Sequence, residues 1–168
     1  GIGQGELLLS TIQMANLAAI IANRGYFYTP HLVKGFNSES IEIPERYRTQ
    51  NTVPIDKKYF EPVIDGMELA IRGGTASKAY NPEIVTCGKT GTSQNPHGED
   101  HSVFFAFAPR ENPKIAIAVY VENAGWGGNV AAPIASLMIE KYIKGKINRL
   151  DLQEKMMKID LVSKKPKT

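Results

Sequence analysis

Apolar side chains recur along this chain in two rhythms, and the change from one to the other divides it. From Ile12 to Ala22 nearly every position is apolar, the pattern of a helix buried on most sides. Ser10-Thr11-Ile12-Gln13 reads as an S-x-x-Q capping box that starts this helix, and Gly25 is placed to end it. Tyr59, Phe60, Val63, Ile64, Met67, Ala70 and Ile71 return at three- and four-residue spacing, which predicts a second, amphipathic helix stopping at Gly73-Gly74. Pro62 suits only its first turn. Between the two, Tyr26 to Phe36 is aromatic and β-branched but interrupted by Pro30, so a short edge passage is predicted there. Asn37 to Pro54 is polar and irregular and is expected to be a surface excursion.

Beyond Pro82 the rhythm shortens to that of strands. Ile84 to Ser93 is rich in β-branched residues, and Ser102 to Ala108 and Lys114 to Glu122 follow on either side of a turn at 109–113. The apolar density of the last two predicts cover by helices on both faces. Asn129 is placed to cap a final helix with an apolar stripe of Val130, Ile134, Leu137, Met138 and Ile143, ended at Gly145. A weak helix is predicted within Leu150 to Ile159. Short connections between the strands imply antiparallel pairing. The expected class is therefore α/β, an antiparallel sheet layered with helices, with residues 1–145 as one folded unit and 146–168 as a basic tail.

Composition narrows this picture. At 168 residues, 42% hydrophobic and 22% charged, the chain can bury one core. A net charge of +3 is too mild for nucleic-acid binding, and part of the excess is Lys155, Lys158, Lys164, Lys165 and Lys167 near the end. That run reads as solvated. The single Cys87 excludes an internal disulfide and is expected to be a packing thiol, not a nucleophile. No stretch has the length and apolarity of a membrane span. The chain opens at Gly1 without methionine and is expected to be part of something longer.

Candidate chemistry concentrates in one strand, where Lys89, Thr90, Gly91 and Thr92 stand at positions a core strand would fill with apolar groups. Alternation puts Thr90 and Thr92 on one face and Lys89 on the other. Glycine inside a strand marks a place where a ligand or another backbone comes close. Such an edge would offer amides, hydroxyls and an ammonium to an anionic, peptide-like ligand. A phosphate-binding loop does not fit Gly88-Lys89-Thr90, because Glu83 stands where that motif needs its first glycine. His97 and His101 with Glu99 and Asp100 match no standard metal spacing. Neither metal nor cofactor is expected. His31 reads as a surface residue, and Trp126, in the glycine-rich loop 123–128, is expected to pack on the core.

Lys89-Thr90-Gly91-Thr92 resembles the K-T-G motif of the penicillin-binding proteins and serine β-lactamases. The flanks agree with that resemblance: Gly1 to Gly5, Ile12-Gln13-Met14-Ala15, Gly74-Thr75-Ala76, and His101 to Pro109 look like the C-terminal half of a class B penicillin-binding transpeptidase, the elongation-type penicillin-binding protein 2 above all. The resemblance runs from about Gly1 to about Ile143. It implies half of a five-stranded antiparallel sheet, with two further strands in an N-terminal half that this chain lacks. It also implies a peptidoglycan D,D-transpeptidase acting on D-alanyl-D-alanine stem peptides and acylated by β-lactams, anchored in the cytoplasmic membrane with this domain outside, among cell-wall elongation partners. Lys89 would stabilise the charge network of the site. Thr90 and Thr92 would bind the ligand carboxylate, the Thr92 N–H would be an oxyanion donor, Gly91 would permit close approach, and Gln94 would face the groove.

The nucleophile's S-x-x-K occurs nowhere; the nearest run, Ser163-Lys164-Lys165-Pro166, ends in proline where the motif needs lysine. Ser93-Gln94-Asn95 matches S-x-N but directly follows the lysine motif, whereas the family places it before. The alternatives are a D,D-carboxypeptidase, with water as acceptor, and a non-catalytic β-lactam sensor or pseudoenzyme.

Overall fold

The computed structural model describes residues 5–37 and 42–161. Gly1 to Gln4 and Lys164, Lys165 and Lys167 lie outside the described residues. Helix α1 spans Thr11–Ala22. Gln13 Oε1 accepts from both the backbone N–H and the hydroxyl of Ser10, at 2.8 and 2.9 Å, which closes the capping box. Such a cap is worth about 1 kcal/mol. The helix stops at Ala22, and the chain reverses through Arg24 and Gly25, both at positive φ. Strand β1, Tyr26–Tyr28, then leaves the helix.

The polar stretch after it is more ordered than expected. A short helix α2, Glu45–Arg48, leads into strand β2, Gln50–Thr52, which pairs antiparallel with β1. Polar residues hide this strand because its outer face meets solvent, so no apolar alternation marks it. Helix α3, Phe60–Arg72, keeps Pro62 in its first turn and buries Phe60, Ile64, Met67 and Ile71.

The main sheet comprises β3, Cys87–Ser93, β4, His101–Ala108, and β5, Ile115–Val121, in the order β3-β4-β5, antiparallel throughout. Helix α4, Ala131–Lys144, covers one face and α1 and α3 the other. On the α4 side, Phe104, Ala106, Ala108 and Ile117 pack against Ala131, Ala132, Ala135 and Ile139. On the opposite side, Cys87, Phe107 and Phe105 meet Ile21 and Ala22 of α1 and Phe60, Ile64 and Met67 of α3. Opposed residues of an antiparallel pair share a face, so the register separates the two cores cleanly.

Three expectations need correction. α1 is buried on one side only: Ala18, Ile21 and Ala22 are enclosed against the sheet and α3, whereas Ile12 is 57% and Leu17 39% exposed on the side turned away from them. α4 is not capped by Asn129, whose side chain accepts from Lys78 Nζ at 2.6 Å. Its first N–H groups go to Ser102 Oγ and the Gly127 carbonyl. Its core face follows the stripe read from the sequence only in part: Val130 and Leu137 are buried and Ile143 packs against the core, but Ala131, Ala132, Ala135 and Ile139 also face the sheet. Small residues let α4 approach the sheet, and Met138 points outward, 52% exposed.

Past Gly145, helix α5 spans Leu150–Met157 within the stretch read as basic tail. Arg149 ties its start to α4: Nε binds the fully buried Glu140 at 2.9 Å, and Nη2 reaches the carbonyl and hydroxyl of Ser136. Lys155 on α5 and Lys158 just past its end are exposed, as solvated lysines.

Candidate active site

Among the described residues, strand β3 is one of the two edges of the sheet. Its buried start, Cys87 and Gly88, fixes the polar half that follows. Cys87 is enclosed between α1 and α3, and burial pushes its thiol up to about 12 against the opposing pull of Arg110. At neutral pH it is a protonated packing group and no nucleophile. Gly88 lies under Phe104: a Cβ there would stand 2.4 Å from the Phe104 ring.

The register places the four motif residues. Thr90 is opposite Phe104 and Thr92 opposite Ser102, on the α4 face, while Lys89 is opposite Phe105 and Gly91 opposite Val103, on the other. The predicted alternation therefore holds. The Lys89 ammonium is exposed and donates to the Thr90 carbonyl at 2.7 Å. Thr90 Oγ1 lies 2.8 Å from Thr75 Oγ1. Thr92 Oγ1 accepts a long bond from the Gly127 N–H at 3.4 Å. Gln94 is exposed just past the strand end, so all five residues border the same edge.

Close approach at Gly91 occurs, and the approaching backbone belongs to this chain. A Cβ on Gly91 would meet only ordinary contact with Val103, but one on Gly127 would lie 2.4 Å from the Gly91 carbonyl and 2.3 Å from that of Val103. A Cβ on Gly128 would lie 2.0 Å from the Thr75 carbonyl. The Gly127-Gly128 pair is thus pressed flat across β3 and the segment carrying Thr75. Ser102, opposite Thr92, completes the joint: its hydroxyl donates to the Trp126 carbonyl at 3.1 Å and accepts from the Ala131 N–H at 3.0 Å.

The loop between β3 and β4 is tied to the same rim. Asn95 Nδ2 donates to Asn123 Oδ1 at 2.7 Å, the Asn123 N–H to His101 Nδ1 at 3.1 Å, and the Gly125 N–H to the Asp100 carbonyl at 2.7 Å. Among the described residues no three of His, Cys, Asp and Glu gather as a metal site. Trp126 departs from expectation. Its backbone is held, but its indole is 73% exposed on the rim, because the glycines after it bring the backbone, not the side chain, against the sheet.

The sequence names Thr75 only within the Gly74-Thr75-Ala76 resemblance and assigns it no role, and it gives none to Ser102 or to the Gly127-Gly128 pair. Each carried a signal: a threonine after a glycine doublet, a serine opening an apolar strand, and a glycine doublet before a helix.

A mixed layer fold with a Lys-Thr-Gly-Thr strand at the sheet edge defines the class, and a model of the penicillin binding protein transpeptidase domain matches residues 1–140. The chain belongs to that family. Among curated relatives, peptidoglycan D,D-transpeptidase MrdA of Haemophilus influenzae is 32% identical over 90% of this chain and 26% of its own length. PbpA of Mycobacterium tuberculosis, likewise named a peptidoglycan D,D-transpeptidase, is 33% identical over 86% of this chain and 31% of its own. Pseudomonas aeruginosa PBP2, solved in complex with WCK 5153, superposes with a TM-score of 0.72 at 34% identity, covering 89% of this chain and 33% of that one. The imipenem acyl-enzyme of M. tuberculosis penicillin-binding protein A gives 0.71 at 31% identity, over 84% of this chain and 33% of that one. The resemblance to penicillin-binding protein 2 and the fold expected from it are borne out. The chain spans about a quarter to a third of the length of these relatives.

Proposed function

We propose that this chain supplies the substrate-binding edge of a peptidoglycan D,D-transpeptidase whose nucleophile lies in a preceding half of the same domain. The observation that carries this reading is the edge strand β3, on which Lys89, Thr90 and Thr92 present an ammonium and two hydroxyls beside an unpaired strand border. An extended peptide would lie along it as an added strand. Thr90 and Thr92 would bind the terminal carboxylate by charge-assisted hydrogen bonds, and the Thr92 N–H would donate to the oxyanion. Loss of one such donor costs roughly 10²–10³ in rate. Lys89 would hold the proton network of the site by its positive charge. Gln94 would line the groove.

In the reaction the serine oxygen attacks the penultimate D-alanine carbonyl and the terminal D-alanine leaves with the proton. The amine of a second stem peptide then attacks the ester, forming the crosslink and restoring the serine. A β-lactam takes the first step only, since its ring opens without a departing group. Relatives of this chain have been captured as β-lactam acyl-enzymes. No helix among the described residues is long and apolar enough to cross a membrane. An anchor upstream of Gly1, with the domain outside the cytoplasmic membrane, is part of the proposal, as is a role in cell-wall elongation.

Mass spectrometry after incubation with penicillin tests it. The full-length parent is expected to gain one covalent adduct and the isolated 168-residue chain none. A stoichiometric adduct on the isolated chain would overturn the placement of the nucleophile, and no adduct on the parent would overturn the activity.

A further inference from the structure

Thr90 carries one hydroxyl proton and two lone pairs. To bind a carboxylate it must donate that proton outward, and the hydroxyl rotor is free to point elsewhere unless a neighbour fixes it. The neighbour is Thr75, whose Oγ1 lies 2.8 Å away. We propose that Thr75 is a positioning residue of the anion site: its hydroxyl donates to Thr90 Oγ1, leaving the Thr90 proton for the ligand carboxylate. The inference rests on the reading of β3 as a carboxylate-binding edge.

The structure holds Thr75 more firmly than an exposed loop residue needs. The Ala76 N–H caps the end of α3 at the Ala70 carbonyl, 2.9 Å, and Ala76 itself is fully buried. Lys78 is pinned to Asn129 at 2.6 Å. Downstream, the Ser136 hydroxyl donates to the Ala79 carbonyl at 2.5 Å. From above, the backbone at Gly128 leaves no room for a Cβ against the Thr75 carbonyl. Four contacts from α3, α4 and the 125–129 loop therefore converge on a segment from which the Thr75 side chain reaches β3 through a hydrogen bond. In a hydroxyl chain each bond polarises the next, so a Thr90 that accepts from Thr75 is also the better donor.

The test uses the full-length parent protein and two probes, penicillin G with its free carboxylate and its methyl ester, which lacks the anion. Acylation rate constants are measured for wild type, Thr75→Val and Thr75→Ser, and the carboxylate-to-ester ratio is taken within each protein, so that a partly destabilised variant still reports. Thr75→Val is expected to lower the ratio about tenfold, the scale of one hydrogen bond to a charged group, and Thr75→Ser to recover it to within about twofold. An unchanged ratio in Thr75→Val, or an equal loss with the ester, would overturn the role of Thr75 while leaving the transpeptidase reading intact. A wild-type parent that neither probe acylates would remove both.

Discussion

Lys89 and Thr92 face opposite sides of one strand, and their proposed roles separate in the same way, ammonium against amide. Lys89→Ala in the parent is expected to slow β-lactam acylation by roughly 10²-fold or more, because a charge in the site is removed. Thr92→Ala keeps its backbone N–H and is expected to weaken binding of the carboxylate by less than about tenfold. Stopped-flow acylation decides between them, and negligible effects of both would exclude this strand as the site. Cys87 is the control on the same strand. Burial pushes its thiol up to about 12 in the fold, above the usual thiol range near 9.0, so the folded state holds its proton longer. The stability this represents is fully present below pH 9 and is lost as pH rises toward 12. Iodoacetamide at pH 8 is therefore expected to label the unfolded chain and spare the folded one. Cys87→Ala is expected to cost about 1–2 kcal/mol and leave acylation nearly unchanged. The faces of Lys89, Thr90, Gly91 and Thr92 were legible in the sequence because strand alternation is a local rule. The contact of Thr75 with Thr90 was not, because the two lie fifteen positions apart across a fold that alternation does not describe.

At the scale of elements, the helices read from periodicity are present, and the errors fall where a partner decides the outcome. α4 turns its alanines inward because the sheet accepts close approach, so the bulkier Ile134 and Met138 are left to line a groove with α5. A stripe of large apolar residues is not always the core face. β2 went unseen because its three residues, Gln50, Asn51 and Thr52, pair with β1 by backbone bonds that polar side chains do not advertise. The clasp between α4 and α5 was equally hidden, since nothing in the spacing of Glu140 and Arg149 marks them as a buried pair. Glu140 is 0% exposed, with Arg149 and the Asn148 N–H as its partners. Removing one member of such a pair strands the other charge, typically at about 3–5 kcal/mol. Arg149→Ala is accordingly expected to lower the urea midpoint strongly, whereas Lys155→Ala, on the exposed face of α5, is expected to shift it little. Equally small effects would mean that the Glu140–Arg149 clasp contributes little to stability.

For the whole molecule, the two cores account for the middle of the sheet but not for its surroundings. Leu7 and Leu8 are 78% and 87% exposed, the outer side of α1 is open, and an apolar groove of about 540 Å³ runs between α4 and α5, lined by Ile115, Leu137, Tyr142, Met156 and Met157. Large apolar patches left uncovered on a soluble protein mark surfaces that meet a partner or another part of the chain. Under the proposed function these surfaces belong to the interior of a larger domain, in which the preceding half adds strands to the sheet and lies against α1. Dye binding gives the contrast directly. The isolated 168-residue chain is expected to enhance the fluorescence of 8-anilinonaphthalene-1-sulfonate strongly and to associate with rising concentration in sedimentation velocity. The full-length parent, at equal molarity in the same detergent, is expected to do neither. Truncating the parent at Gly1 is the variant that joins the two states, and the dye signal should appear with that cut and disappear when the upstream half is supplied as a separate chain that restores penicillin acylation. A parent that binds the dye as strongly as the fragment would show that these faces are open in the native protein, and would remove the argument that the domain is completed from upstream.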